Sequence, residues 1–268
     1  MLRLKNKVAF ITGGGGGIGR ATAERFAEEG AKVIIAEITP EIGEAAALSA
    51  CQKGKDSGGD AHFIETDVRN AESVKAAIEQ TISRYGQLNI LHNNAGGSTL
   101  EDGPVTEAPV EEFWRCIGLD LFGTFLCSKH AIPKIAASGG GSIINMSSNV
   151  ALMALPGRDC YTAAKGAIAS MTRSMAAEYA SDNIRVNAIA PGMILTPMNR
   201  NRFETNSDFR TMLLDATPLG RVGAPEDIAN GITFLCSDEA AFISGHTLTI
   251  DGAWSTTKYQ PFDRSLHE

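Results

Sequence analysis

Short runs of consecutive apolar residues alternate along this chain with longer stretches in which apolar positions recur every three or four residues. Val8–Thr12 is such a run, and it ends in a row of glycines. Beyond them, residues 18–29 carry Ile18, Ala21, Ala23, Phe26 and Ala27 at helical spacing until Gly30 stops the helix. Lys32–Glu37 (KVIIAE) is a second continuous run. Residues 62–68 and 88–93 read as a third and fourth strand, with a helix over Ala71–Tyr85 between them. A long amphipathic stretch, residues 110–137, is expected to distort near Pro133. Further strands are expected at residues 142–147, 184–190 and 246–250, and helices over residues 161–180 and Pro225–Cys236.

Strands that alternate with helices imply a parallel sheet, because parallel neighbours need a crossover that is usually helical. Such strands are buried on both faces, which explains runs that are apolar without alternation, as in Val33 to Ala36. No linker rich in Pro, Gly and Ser splits the chain, and no repeat recurs at a fixed period. The pattern therefore predicts one doubly wound α/β domain, a three-layer αβα sandwich of Rossmann type.

Composition narrows the partners. The chain has 268 residues, 43% hydrophobic and 21% charged, enough apolar material for a large core. With 24 basic and 31 acidic residues the net charge is -7, which disfavours nucleic acid and anionic membrane as partners. Residues 1–14 read as the first strand of the fold, not as a signal peptide, and no apolar window is long enough to span a bilayer. Cys51, Cys116, Cys127, Cys160 and Cys236 are odd in number and form no C-x-x-C pair, so neither a disulfide framework nor a metal site is expected. Reduced thiols fit a cytoplasmic location.

Glycine supplies the first chemical clue. There are 28 glycines, against roughly 19 at average usage. Six fall within Gly13, Gly14, Gly15, Gly16, Gly17 and Gly19, directly after Thr12 and around Ile18, between an expected strand and an expected helix. Glycines let the backbone approach a pyrophosphate, and a helix N-terminus favours its charge. Three more, residues 139–141, form the turn before the fifth strand. An acid is then required at the end of the second strand to hold the ribose hydroxyls, and Glu37 stands there. A carboxylate at that point repels a 2′-phosphate, and the loop offers no cation before Arg20, so NAD is expected rather than NADP.

Asn93-Asn94-Ala95-Gly96 follows the fourth strand, Tyr161-Thr162-Ala163-Ala164-Lys165 gives Y-x-x-x-K, and Pro191-Gly192 and Thr196-Pro197 follow the sixth strand. With the T-G-x-x-x-G-x-G loop (Thr12, Gly13, Gly17, Gly19), these motifs resemble the classical short-chain dehydrogenases/reductases over nearly the whole chain. The resemblance implies a seven-stranded, mainly parallel sheet in residues 1–254 and commonly a homotetramer. Residues 255–268, with Tyr259, Pro261 and Phe262, extend past the recognisable domain as a tail that could dock on a neighbouring subunit. Carried over by position, Asp67 and Val68 lie at the adenine, while Asn94, with Ala95 and Gly96, steadies the sheet beside the cofactor. Pro191, Gly192, Ile194 and Thr196 then flank the nicotinamide. Ser148, thirteen residues before Tyr161, takes the place of the catalytic serine in preference to its neighbour Ser147.

The chemistry of these residue types suits alcohol oxidation. A phenol has an ordinary pKa of ~10, and lowering it to near 7 requires ~4 kcal/mol in favour of the phenolate. Lys165, four residues after Tyr161, shares its helix face and supplies a stabilising ammonium. A hydroxyl at Ser148 can position the substrate oxygen. One residue departs from the family pattern. In Trp114-Arg115-Cys116-Ile117-Gly118-Leu119-Asp120-Leu121-Phe122-Gly123, Asp120 occupies a place where the family often has an asparagine that helps hold a relay water. An ionised aspartate accepts hydrogen bonds but cannot donate them, and its charge can pair with Lys165 and weaken the hold on Tyr161.

The expected activity is interconversion of a small-molecule secondary alcohol and a ketone with NAD. The alternatives are a non-catalytic nicotinamide-binding sensor of the same fold, or a relative that performs enoyl reduction, epimerisation or dehydration. The resemblance implies that residues 97–104, 149–160 and 193–216 border the substrate, with Met153, Leu155, Met193 and Met198 as an apolar lining; Arg158 with Arg200 or Arg202 could meet a substrate carboxylate or simply face solvent.

Overall fold

A computed structural model describes residues 2–256. Seven strands, β1 (Val8–Thr12), β2 (Lys32–Glu37), β3 (Asp60–Glu65), β4 (Ile90–Asn93), β5 (Gly141–Met146), β6 (Ile184–Pro191) and β7 (Thr247–Ile250), form one sheet in the order β3-β2-β1-β4-β5-β6-β7. Every neighbouring pair is parallel. The helices are α1 (Gly17–Glu28), α2 (Pro40–Gly54), α3 (Ala71–Tyr85), α4 (Val110–Cys116), α5 (Gly123–Ala137), α6 (Asp159–Glu178), α7 (Pro197–Thr205), α8 (Ser207–Ala216) and α9 (Pro225–Cys236).

Side chains along each central strand point alternately into two cores. Ala9, Ile11, Val33, Ile35 and Ile144 pack with Phe26 of α1, Ala46 of α2 and Ile232 of α9 on one face. Phe10, Ile34, Leu91, Ile143 and Val186 pack with Ile78 of α3, Leu126 of α5 and Met175 of α6 on the other. This is the expected three-layer sandwich. The strand order turns back between β1 and β4, and in open α/β sheets ligands bind beyond the carboxyl ends of strands at such a switch point. The glycine loop after β1 and the Asn94–Gly96 segment after β4 meet there.

The structure departs from the sequence pattern at four places. Strand β3 begins at Asp60 and ends at Glu65, so Asp67 and Val68 lie past it. Helix α2 was not marked by the pattern, because it packs through small residues, Gly43, Ala46, Ala47, Ala50 and Gly54. The long helix does not distort at Pro133, which sits at an exposed position within α5. It instead widens into a π-helical segment at Ile117–Phe122, between α4 and α5, with Asp120 as its buried residue. Helices α7 and α8 form within the segment expected only as a substrate border. Trp254–Thr256 make a short 3-10 turn, so the tail begins in ordered backbone, and Tyr259, Pro261 and Phe262 lie outside the described residues. All five cysteines are free thiols. Among the described residues no helix is long and apolar enough to cross a membrane.

Candidate active site

The loop between β1 and α1 is shaped by what glycine alone permits. Gly13 and Gly17 have φ of 59° and 50°, in the left-handed region. A Cβ on Gly19 would stand 2.2 Å from the Gly13 carbonyl oxygen and 2.6 Å from Asn94 Nδ2. At Gly16 a Cβ would meet nothing within 4 Å, and no side chain caps α1 there. An open cradle over an uncapped helix N-terminus fits a diphosphate. Thr12 and Asn94 hold the cradle from below. Thr12 Oγ1 accepts from the Asn94 and Ala95 amides at 2.9 and 3.0 Å, and Asn94 Nδ2 donates to the Thr12 and Gly13 carbonyls at 3.0 and 2.9 Å. Thr196 closes the far side, since a Cβ on Gly17 would come within 3.2 Å of its Cγ2.

Glu37 is buried at the end of β2, with its carboxylate turned back onto the backbone. Oε2 accepts from the Gly15 amide at 3.2 Å, and Oε1 from the Ile38 and Thr39 amides at 2.9 and 3.3 Å. It therefore braces the glycine loop as well as presenting a negative charge, a role the sequence did not indicate. The Thr66 amide donates to the Glu37 carbonyl, which lays the following segment alongside β2. There Asp67 is held by Arg69 through two contacts of 3.0 Å, and that guanidinium keeps its carboxyl below the usual range. Val68 is buried against Gly123. Arg20 pairs with Glu24 at 2.8 Å.

Beyond β6, the chain from Pro191 to Thr196 returns toward the same cradle. The Gly192 amide donates to the Ile250 carbonyl, and a Cβ on Gly192 would press on Asp251 at 2.7 Å. Ile194 is buried and bridges to Gly223. Asn199 fixes this turn by accepting from the Thr196 amide and donating to the Ile194 carbonyl, both at 2.8 Å.

The titratable groups converge at the ends of β4 and β5. Lys165, 3% exposed, lies 2.9 Å from Asp120 Oδ1, which is fully buried, and donates to the Met146 carbonyl at 2.8 Å. Its Nζ is 5.4 Å from the centre of the half-buried Tyr161 ring. Asp120 Oδ1 also accepts from the Gly97 amide at 3.1 Å, whereas the buried Oδ2 has no hydrogen-bond partner. Gly96 must be glycine here: its φ is 155°, and a Cβ would fall 2.3 Å from Asp120 Oδ1. The two serines divide. Ser147 Oγ donates to the Lys165 carbonyl at 3.0 Å, whereas the Ser148 hydroxyl stands beside the Tyr161 phenol. A buried chain of amides, unmarked in the sequence, braces this end of the sheet: Asn93 Nδ2 donates to Asn145 Oδ1 at 2.8 Å, and Asn145 Nδ2 to Thr172 Oγ1 at 2.9 Å.

The electrostatics are finely opposed. Burial pushes the Tyr161 phenol up, Lys165 pulls it down, Asp120 pushes it up again and Ser148 lowers it, with a net upward shift. Burial pulls the Lys165 ammonium down, but Asp120 and Tyr161 outweigh it and hold it above its ordinary value. With burial and Asp120 opposing Lys165, the phenol stays above its ordinary value, as expected if the charge of Asp120 weakens the lysine's hold. The three arginines considered for a substrate carboxylate are each engaged. Arg158 donates to the Thr99 carbonyl, Arg200 lies 3.5 Å from Glu204, and Arg202 sits 4.1 Å over the Phe209 ring. Among the described residues no cluster of His, Cys, Asp and Glu could hold a metal ion.

Comparison with known proteins places this arrangement in context. A family profile described as enoyl-(acyl carrier protein) reductase matches residues 14–255. An uncharacterised oxidoreductase of Bacillus subtilis, YxbG, is 45% identical over 94% of this chain and 92% of its own length. The 2,5-dichloro-2,5-cyclohexadiene-1,4-diol dehydrogenase LinX of Sphingobium indicum is 40% identical over 94% of this chain and 98% of its own. The crystal structure of L-sorbose reductase from Gluconobacter frateurii, complexed with NADPH and L-sorbose, superimposes with a TM-score of 0.87. It is 32% identical and covers 96% of this chain and 99% of its own.

Proposed function

The chain belongs to the short-chain dehydrogenase/reductase family and is an oxidoreductase of it, and from that premise we propose that it interconverts a secondary alcohol and a ketone with NAD. The observation that carries this reading is the meeting of the Ser148 hydroxyl, the Tyr161 phenol and the buried Lys165–Asp120 pair beside the glycine cradle.

The cradle of Gly13 to Gly19, with Thr12 and Asn94 beneath it, would hold the cofactor's diphosphate. Glu37 would take its adenosine ribose and the 67–68 segment its adenine. Asn94–Gly96 and Pro191–Thr196, with Tyr161 and Lys165, would flank its nicotinamide end. When bound, the cofactor would supply the hydride acceptor and a positive charge. The chain's own groups do the rest. Tyr161 as phenolate takes the hydroxyl proton in oxidation and, as phenol, returns it in reduction. Ser148 donates to the substrate oxygen and orients it. Lys165 stabilises the phenolate, and Asp120 holds Lys165 while its free Oδ2 offers an acceptor for the outgoing proton, so that the relay is retained with an altered pH dependence.

Support for NAD over NADP comes from the buried Glu37 carboxylate, which repels a 2′-phosphate. The reductase from Gluconobacter frateurii takes NADPH, so both cofactors belong in the test. A panel of secondary alcohols, beginning with cyclic diols because of the likeness to LinX, is followed by NADH and NADPH absorbance. Turnover of an alcohol with NAD that Tyr161→Phe abolishes is expected. No turnover on any alcohol, with normal NAD binding, would instead identify a nicotinamide-binding sensor. The description of the matching profile favours a second reading, enoyl reduction, and product analysis with an enoyl thioester separates it. A homotetramer in the cytoplasm completes the proposal. The exposed Phe113, Trp114, Phe122 and Phe125 along the α4–α5 rod support the assembly, and five free thiols the location; sedimentation measures the first.

A further inference from the structure

Tyr161 is the third residue of α6, and that helix starts poorly by its own sequence. Its N-cap is Arg158, whose side chain makes no capping bond. Amides in a helix's first turn have no acceptor within the helix, and a short polar side chain at the N-cap ordinarily supplies one. Here the acceptor comes from far upstream. Asp102, 8% exposed, places Oδ1 3.1 Å from the Cys160 amide and Oδ2 3.0 Å from the Tyr161 amide, a partner 59 residues away. Its Oδ1 also accepts from its neighbour's amide, Gly103, at 2.9 Å. Both carboxylate oxygens are thereby committed to backbone, and one of them to the backbone of the tyrosine itself.

The segment that carries Asp102 is tied to the site at its other end. The Gly97 amide donates to Asp120 Oδ1, the oxygen that pairs with Lys165. Between these points Arg158 of the α6 N-terminus donates to the Thr99 carbonyl, and Thr99 Oγ1 donates to Glu112 of α4 at 2.8 Å. Residues 97–102 thus run as a strap from the lysine's counter-ion to the tyrosine's amide, along the expected substrate border.

We propose that Asp102 is a positioning residue: by capping α6 from outside the helix it sets the first turn, and so the height at which the Tyr161 phenol meets Ser148 and the substrate oxygen. The proposal rests on the reading of Tyr161 as the proton-transfer group. A carboxylate at a helix N-terminus also meets the positive end of the helix dipole, so the cap is favoured in charge as well as geometry.

The test uses the full-length protein well below its melting temperature. Hydrogen exchange is measured on the peptide containing Cys160 and Tyr161, and kcat and KM on the alcohol that the parent oxidises fastest with NAD. Asp102→Ala is expected to speed exchange of that peptide at least tenfold and to lower kcat about tenfold. The Kd for NADH, read by fluorescence, stays within twofold. Asp102→Asn, which keeps one acceptor, is expected to bring kcat back to within about threefold of the parent, and it remains informative if the alanine variant does not fold. A parent-like kcat in Asp102→Ala, unchanged exchange, or a loss that Asn does not relieve would overturn the proposal. Tyr161→Phe is the control on its premise: if that variant still turns over, the role of Tyr161 fails first, whatever Asp102 does.

Discussion

Lys165 and Asp120 lie 2.9 Å apart with almost no solvent on either side chain, so the ammonium that faces Tyr161 is already shared with a carboxylate. The anion raises the phenol and the ammonium together. Replacing it by a neutral amide therefore favours the phenolate at lower pH. In Asp120→Asn the rising limb of kcat against pH for alcohol oxidation is expected to move down by about one pH unit. Profiles that superimpose with equal rates would remove Asp120 from the proton path.

The same pair bears on stability. Removing one member of a buried ion pair leaves the other uncompensated, at a cost of about 3–5 kcal/mol. Asp120→Ala is expected to lose stability in that range, measured by urea denaturation, because the Met146 carbonyl is the remaining partner of Lys165.

Glu37→Gln keeps the side chain's size and an acceptor while removing its charge. The ratio of kcat/KM for NADP to that for NAD should rise about tenfold, equivalent to ~1.4 kcal/mol. An unchanged ratio would show that cofactor choice is made elsewhere.

Two glycines of the cradle are expected to respond differently. Gly16 has open space around it and an ordinary extended backbone, φ -147°. Gly16→Ala should fold with parental stability and bind NAD about tenfold more weakly, or ~1.4 kcal/mol, in fluorescence titration. Gly19→Ala drives a methyl into the Gly13 carbonyl, and a loss of about 1–3 kcal/mol is expected by thermal denaturation.

His92 sets an acid limit. It is fully buried in β4, its Nδ1 lies 3.3 Å from the Ile144 carbonyl, and burial pushes its pKa down to about 4. The unfolded chain binds that proton near pH 6.5, so stability present above that pH is lost as pH falls toward 4. The loss from this residue is about 3 kcal/mol. His92→Leu should flatten the fall in urea midpoint between pH 6.5 and 4.

The alternation of strands and helices was legible because both faces of the sheet are covered, which leaves β1 and β2 as unbroken apolar runs. The glycine-rich turn between β1 and α1 and the shared helix of Tyr161 and Lys165 were legible because local spacing places them. What escaped the sequence depends on contacts between distant residues or on small side chains. Alanine and glycine carry little periodic signal, so α2 left no mark. No residue of α7 is buried, so it has no apolar stripe to read. The inward turn of the Glu37 carboxylate and the reach of Asp102 to α6 exist only once the chain has folded.

The π-helical segment makes the site a matter of counting. An α-helix advances 100° per residue, and the wider turn at Ile117–Phe122 absorbs the angular offset between a first half that packs toward α6 and a second half that packs toward α3. Deleting one residue just before Asp120, such as Gly118 or Leu119, would leave the composition of the site almost unchanged, yet swing Asp120 away from Lys165. For this part of the chain the number of residues matters as much as their identity, which substitutions alone do not probe.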